Sequence, residues 1–205
     1  MTTPETFGRD QDDTDVAPAD PRTLLRSWLP ALDDPNEPLM TLATVGLDGY
    51  PNARNVLMSG FDGERLHFHT TAHSRKVAEL AALPRATAVL VWPELARQVV
   101  ITGDVAPETS QEAAAEFPAR SRELQLLEWV NTDELAARPI SERRAEWAAF
   151  DAAHPETPLA PPATWVGYTI TPRRVVFWRG DSEGPSNRLM YTRGDRGWAL
   201  ERKAG

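Results

Sequence analysis

The chain has 205 residues, and its 22 Lys and Arg stand against 30 Asp and Glu, for a formal charge of -8. This length suits one domain with a substantial core, while the acidic balance argues against general binding to nucleic acids or anionic membranes. The absence of cysteine excludes disulfides and thiolate catalysis. The sequence also lacks the run of roughly 18 apolar residues that a membrane helix needs, so we expect a cytoplasmic protein.

The N-terminal segment is rich in Asp, Thr and Pro and has almost no apolar residues. We therefore predict a disordered arm over 1–19 and a folded domain over 20–205. Asp20 before Pro21 is typical of an N-cap followed by the first residue of a helix. Leucine and tryptophan then recur at helical spacing as far as Leu29, which predicts a short amphipathic helix.

A strand pattern begins at Leu39. Segments 39–45, 50–61 and 65–71 are separated by short turns, which predicts two hairpins in series. A helix is predicted over 74–83, because serine is a good cap and a proline follows. Further strands are predicted over 86–92, 97–106, 165–172, 173–180, 187–193 and 197–203, and further helices over 109–129 and 141–153. Many short strands with few helices favour a mainly β protein with helices, built as a β-barrel or sandwich.

Ser74, Arg75 and Lys76 form the most informative cluster of polar residues, at the start of the helix predicted after the third strand. A helix N-terminus with a hydroxyl and two cations suits a phosphate dianion. Taken alone, a serine cap followed by solvated charges is the commoner explanation. Arg54, on a predicted strand, could bind the same phosphate or point to water.

Three later residues also admit two interpretations. The amide of Gln98 could donate and accept at the edge of a flavin, or simply face solvent. Trp178 could cap a core face, and Arg188 could either neutralise charge near a reduced flavin or pair with a surface carboxylate. The four histidines, at 67, 69, 73 and 154, lack acidic partners at zinc-site spacing, so no metal site is predicted.

Five blocks, in this order and at this spacing, resemble successive segments of the pyridoxamine 5'-phosphate oxidase family. The resemblance covers the chain from about Asp20 to its C-terminus. The blocks are ARNVLMSGFD, FHTTAHSRKVAEL, WPELARQVVITG, PPATWVGYTITPRRVVFWRG and NRLMYTR. Together they are far more specific than any one of them.

The resemblance implies an FMN-binding split β-barrel that forms a homodimer with two FMN molecules at the interface. Arg188 is implied as a catalytic residue that stabilises the reduced flavin. The family often presents Gln and Ser to the flavin after the position of Trp129, where this chain has Asp133 and Glu134. The positions implied to contact FMN are Arg54, Val56, Thr70, Ser74, Arg75, Lys76, Gln98, Trp178 and Arg188.

The substrate-binding positions implied by the resemblance differ from the family pattern. Ser59 replaces a typical lysine, Glu116 a tyrosine and Leu124 a serine, and Gly184, Pro185 and Ser186 replace an Arg-Leu-His element. Arg120 alone keeps the family's residue and is the second candidate catalytic residue, expected to orient an acidic substrate group. Loss of a phosphate's cationic partner removes roughly 1.5 to 3 kcal/mol, so we expect poor turnover of pyridoxine or pyridoxamine 5'-phosphate.

The leading hypothesis is an FMN-dependent oxidase that transfers hydride from a small substrate to flavin N5, with O2 as acceptor. The substrate would be an amine, an alcohol or a dihydro ring, as in phenazine-pathway relatives from secondary metabolism. A genuine pyridoxine/pyridoxamine 5'-phosphate oxidase that makes pyridoxal 5'-phosphate is the alternative within this class. A non-catalytic FMN-binding protein and a flavin reductase that uses NAD(P)H are the remaining alternatives.

Overall fold

The structure is a computed structural model that describes residues 17–30 and 38–205. Residues 1–16 of the predicted arm lie outside the described residues. The chain divides into two compact units. Of the described residues, the first unit draws on 17–30, 38–68, 75–106 and 168–205, and the second on 69–74 and 107–167.

Strands dominate the part of the chain that the structure describes, as predicted. The nine strands are β1 Leu39–Val45, β2 Pro51–Leu57, β3 Gly60–Phe61, β4 Leu66–Thr71, β5 Arg85–Trp92, β6 Arg97–Pro107, β7 Trp165–Arg179, β8 Asn187–Gly194 and β9 Gly197–Ala204. They form one sheet in the order β2-β1-β5-β6-β7-β4-β3, and β8 pairs with both β7 and β9. The six helices of the described residues are α1 Pro21–Trp28, α2 Arg75–Ala82, α3 Ser110–Glu116, α4 Arg122–Val130, α5 Asp133–Ala136 and α6 Ile140–Ala153.

The first predicted hairpin is confirmed and the second is only partly right. Strands β1 and β2 pair antiparallel along their whole length, around a turn in which Gly49 has φ +84°. The strand predicted over 50–61 breaks after β2, because the Met58 N–H turns to the Pro38 carbonyl and the Ser59 N–H to that of His67. Only the short β3 pairs with β4, and β2 lies at the other end of the sheet order.

Helix α1 forms as predicted and contributes to the core of the first unit. The Asp20 side chain accepts a hydrogen bond from the Arg22 backbone N–H at 2.9 Å, and Pro21 occupies the first turn. Trp28 packs edge-on against Phe177 of β7, with ring centroids 5.1 Å apart. The helix is thereby fixed to the sheet by its buried apolar face.

Gly103 lies where β6 passes close to β7, and a Cβ atom there would overlap the carbonyl oxygen of Thr171. Gly103→Ala is therefore expected to lower the free energy of unfolding by about 1–3 kcal/mol, because the strands must separate. Gly194→Ala is the control, since its Cβ would meet only the Gly197 carbonyl oxygen at 3.9 Å. Urea denaturation measures both variants, and equal stability would contradict the close strand approach.

The second unit is mostly helical, and one of its predicted helices is interrupted. The helix predicted over 109–129 ends at Glu116, passes through a 3-10 turn at Phe117–Ala119 and begins again at Arg122. Pro118 lies in that turn, and the Ser121 side chain accepts from the Leu124 N–H to cap α4. The helix predicted over 141–153 is confirmed as α6. Within the described residues, no helix combines the length and apolarity required to cross a membrane.

Candidate functional site

A buried carboxylate joins two of the arginines predicted to bind phosphate. Glu79 of α2 is fully buried. Its Oε2 atom accepts from Arg54 Nη2 at 2.7 Å, and its Oε1 atom pairs with Arg75 Nε at 2.9 Å. Arg54 comes from β2 and Arg75 begins α2, so one acidic side chain brings a strand and a helix start together.

Neutral side chains complete the hydrogen bonding of this carboxylate. Thr44 Oγ1 donates to Oε2 at 2.6 Å and Asn52 Nδ2 donates to Oε1 at 2.7 Å. Thr44 and Asn52 are register partners in the β1–β2 hairpin. Burial acts to raise the pKa of Glu79, but the hydrogen bonds from Thr44, Arg54 and Asn52 outweigh it and hold the pKa below its usual value. Glu79 is therefore anionic at neutral pH.

The predicted cluster of Ser74, Arg75 and Lys76 lies at the start of α2. Helix α2 begins at Arg75, one residue later than predicted. Ser74 lies just before it, with its N–H bonded to the Thr71 carbonyl and its Oγ atom 3.5 Å from the Thr70 hydroxyl. The Arg75 side chain is 62% exposed, and its Nη2 atom lies 3.7 Å from Asp48 Oδ2 in an exposed ion pair.

Trp178 and Arg188, both predicted to contact flavin, are direct cross-strand partners on β7 and β8. Arg188 is exposed, and Trp178 is partly buried. Gln98 is partly buried on β6, opposite Val91 of β5. Val56 faces Met40 across the β1–β2 pair and packs against the core. The structure therefore pairs Trp178 with Arg188 and leaves Gln98 and Val56 on other strands.

In the second unit, Arg120 is held by an aromatic ring. Its guanidinium carbon lies 4.9 Å from the ring centroid of Trp165, a stacking geometry that suits arginine better than lysine. Trp165 is buried, and its indole Nε1 donates to the Ala113 carbonyl at 2.8 Å. Glu116 ends α3 and Leu124 lies in α4, both partly buried. Three predicted substrate residues thus flank the interruption between α3 and α4.

The other predicted substrate residues lie in the first unit. Ser59 is buried where the chain leaves β2. Ser186 is partly buried just before β8, and its carbonyl accepts from the Gly205 N–H. Arg179 precedes the loop in which Gly184, Pro185 and Ser186 replace the Arg-Leu-His element, and its guanidinium carbon lies over Trp28, 5.3 Å from the ring centroid. Its position therefore lends no support to a role in substrate binding.

A cavity of about 740 Å³ lies in the second unit. Its wall includes Ser74 together with Trp129, Asp133 and Glu134. Hydrogen bonds from its own backbone N–H and from the Thr132 hydroxyl lower the pKa of Glu134, which is therefore anionic. Carboxylates oppose an anionic group in the same cavity, so this cavity by itself does not favour the phosphate contact predicted for Ser74.

Glu79 is the main residue of this site that the sequence reasoning missed. One local signal for it exists, because it follows Arg75 by four residues, the spacing of an ion pair along a helix. The contact with Arg54 has no such signal, since it needs the chain reversal between β1 and β2.

Two histidines have acidic partners that the sequence reasoning did not find. His69 Nε2 lies 2.9 Å from Glu108 Oε2, and its ring is nearly parallel to that of Trp165, with centroids 5.0 Å apart. His67 Nε2 lies 3.0 Å from Asp62 Oδ2. The pair of His69 and Glu108 lies beside Trp165, the tryptophan that holds Arg120.

Two family models match the chain. One is described as pyridoxamine 5'-phosphate oxidase and matches residues 31–178. The other is described as the pyridoxine 5'-phosphate oxidase C-terminal dimerisation region and matches residues 165–204. The second match covers β7, β8 and β9, and hence both Trp178 and Arg188.

Similar proteins and structures agree with these matches. A pyridoxine/pyridoxamine 5'-phosphate oxidase from Acaryochloris marina is 37% identical over 191 residues, which cover 90% of this chain and 85% of the relative. PhzG from Burkholderia lata, solved in complex with tetrahydrophenazine-1-carboxylic acid, has a TM-score of 0.81 at 25% identity, covering 98% of this chain and 100% of the other. An FMN-binding protein from Nostoc punctiforme, related to pyridoxamine 5'-phosphate oxidase, has a TM-score of 0.64 at 23% identity, over 80% and 86% of the two chains.

Proposed function

Because the chain belongs to the pyridoxamine 5'-phosphate oxidase family, we propose that it is an FMN-dependent oxidase that works as a homodimer. The observation that carries the cofactor proposal is the pair of arginines, Arg54 and Arg75, held by the buried Glu79. The match of residues 165–204 to a dimerisation region supports the dimer, in which each FMN would lie between two chains.

The arginines paired with Glu79 are suited to the FMN phosphate. Arg54 and Arg75 share the one buried carboxylate of Glu79, and the other carboxylate near Arg75, Asp48, lies 3.7 Å away in an exposed pair. Arginine N–H groups suit the phosphate oxygens geometrically, and an exposed pair is weak enough for a phosphate dianion to displace. Lys76 follows Arg75 in α2 as a third cation. The donor set is therefore of the right kind for a phosphate.

The protein's own part in catalysis is binding and charge stabilisation. When bound, FMN would supply a two-electron acceptor at its N5 atom, with O2 as the final acceptor. Arg54, Arg75 and Lys76 would hold the phosphate, while Arg188, opposite Trp178, would stabilise negative charge on the reduced ring. Arg120, held by Trp165, would orient the acidic group of the substrate. This assignment requires no strong general base.

We propose a ring acid from secondary metabolism as the substrate. Support comes from three substrate positions that lack the family's usual residues, at Ser59, Glu116 and Leu124, while Arg120 is kept. A carboxylate needs fewer cationic partners than a phosphate dianion. The Burkholderia lata protein, solved with a tetrahydrophenazine carboxylic acid, is a similar protein that binds such a ligand. The second candidate is pyridoxine or pyridoxamine 5'-phosphate, favoured by the names of the sequence relatives.

A comparison of the flavin reduction rates with two substrates tests this proposal on the unaltered protein. FMN-loaded dimer is mixed without oxygen with either tetrahydrophenazine-1-carboxylic acid or pyridoxamine 5'-phosphate, and bleaching of the flavin band is followed. We expect the ring acid to react faster by at least on the order of tenfold, the equivalent of one charge-assisted contact. Admission of O2 should restore the colour and release hydrogen peroxide.

Other outcomes of this experiment, with NADH and dithionite added as further reductants, identify the alternatives. Faster bleaching by pyridoxamine 5'-phosphate, with formation of pyridoxal 5'-phosphate, would establish the vitamin oxidase and reject the ring acid. Bleaching by NADH alone would indicate a flavin reductase. A yellow protein that only dithionite reduces would indicate a non-catalytic FMN-binding protein, and a colourless protein that does not retain added FMN would reject the cofactor proposal itself.

A further inference from the structure

We infer that Glu79 is a positioning residue that orients Arg54 and Arg75 toward the phosphate of FMN. The inference rests on the proposed function, and it assigns a role to an acidic side chain in a site whose expected ligand is an anion. Glu79 would act through the two arginines and would not contact the ligand.

The hydrogen bonding of Glu79 defines how each arginine is held. Its carboxylate accepts hydrogen bonds from Arg54 and Thr44 on Oε2 and from Asn52 on Oε1, and Arg75 Nε forms an ion pair with Oε1. All four groups lie within 2.6 to 2.9 Å of their oxygen. The carboxylate is therefore fixed from both sides, and its position determines how both guanidinium groups are held.

Each arginine is held by only part of its donor set. Arg75 uses Nε for the fully buried Glu79, and its Nη2 atom lies 3.7 Å from Asp48 in a pair whose two side chains are 62% and 58% exposed. Arg54 uses Nη1 for Thr44 and Leu42 and Nη2 for Glu79, and 22% of its side chain is exposed. The exposed part of each guanidinium group can bind a ligand, while the buried part is held by the Glu79 carboxylate. Such pre-organisation reduces the ordering cost of binding.

Stability alone does not account for this arrangement. A buried ion pair is commonly replaced by packed apolar residues without loss of stability. Charge alone would make Glu79 unfavourable here, because an anion close to a phosphate site repels it. Positioning and simple repulsion therefore predict effects of opposite sign when the charge of Glu79 is removed.

The test variant is Glu79→Gln, which keeps the shape and removes the charge. We expect FMN affinity, measured by quenching of flavin fluorescence, to weaken about tenfold. Affinity for riboflavin, which lacks the phosphate, should stay unchanged. Asp62→Asn is the matched control, because Asp62 is also a hydrogen-bonded anion in the first unit, with hydrogen bonds from the Arg65 backbone and His67. It should leave both affinities unchanged.

A second variant covers the case in which Glu79→Gln does not fold. Thr44→Val keeps every charge and the side-chain volume but removes the hydroxyl that accepts from Arg54 and donates to Glu79. A smaller loss of FMN affinity, about threefold, without loss of riboflavin affinity is expected. Urea denaturation of each variant shows whether the fold is intact.

Three results would overturn the inference. They are tighter FMN binding by Glu79→Gln, equal loss of FMN and riboflavin, and unchanged FMN binding in both folded variants. Failure of the proposed function is distinguishable, because it would show in the unaltered protein as no preference for FMN over riboflavin.

Discussion

Arg54→Ala is expected to lose FMN affinity by about 100-fold, equivalent to one strong charge-assisted contact with phosphate. The same substitution should lower the free energy of unfolding by about 3 kcal/mol, because it removes one partner of a buried carboxylate. Glu79 is fully buried, and among the described residues Arg75 is the cation that would still pair with it. Flavin fluorescence titration and urea denaturation measure the two effects separately.

The double variant Arg54→Ala with Glu79→Gln separates the two roles of Arg54. Removing the carboxylate charge together with its partner leaves no buried unpaired anion, so most of the lost stability should return. The FMN affinity should not return, because the phosphate still lacks the guanidinium. Recovery of both quantities together would contradict direct phosphate binding by Arg54.

Arg173→Ala is the matched control for Arg54→Ala. Arg173 also lies on a strand and pairs with a carboxylate, Asp104, but the two side chains are 59% and 43% exposed. An exposed pair of this kind contributes at most about 1 kcal/mol. We expect a small change in stability and no change in FMN binding. Wild-type FMN affinity in Arg54→Ala would show that the phosphate lies elsewhere.

Those parts of the fold whose signals are local could be predicted from the sequence. Helix α1 begins where the cap pattern places it, at Asp20 and Pro21, and the β1–β2 hairpin follows from its turn and alternation. The helix predicted over 109–129 was wrong as one element, because Pro118 and the cap at Ser121 divide it. Pro118 and Ser121 were both visible in the sequence, but the Ala- and Glu-rich composition favoured the prediction of one continuous helix.

The remaining features depend on contacts between distant residues. The second hairpin was only partly right, because the chain turns away at Met58 and β2 joins the opposite end of the sheet order. No local pattern fixes such pairing. The same applies to Glu79 and Arg54, which are 25 residues apart, and to Arg120 on Trp165. The family resemblance implied the site residues, whereas the groups that hold them follow only from the structure.

Arg120→Ala is expected to lower kcat/KM for the better of the two test substrates by about 100-fold, while FMN affinity stays unchanged. Both substrates carry an acidic group, and Arg120 is the one family cation kept among the substrate positions. Trp165 holds the guanidinium by stacking, so Arg120→Lys should recover only part of the activity, because an ammonium group lacks the planar face. Steady-state rates of O2 consumption measure these effects.

Arg143→Ala provides the comparison for Arg120→Ala, since Arg143 is an exposed arginine of α6 in the same unit. It should leave kcat/KM unchanged. If Arg120→Ala instead lowered FMN affinity as strongly as kcat/KM, Arg120 would belong to the cofactor site. If it changed neither, the acidic group of the substrate would be bound by other residues. A loss confined to kcat/KM is expected because the side chain is fixed in the second unit, on a buried tryptophan whose indole is itself bonded to the Ala113 carbonyl.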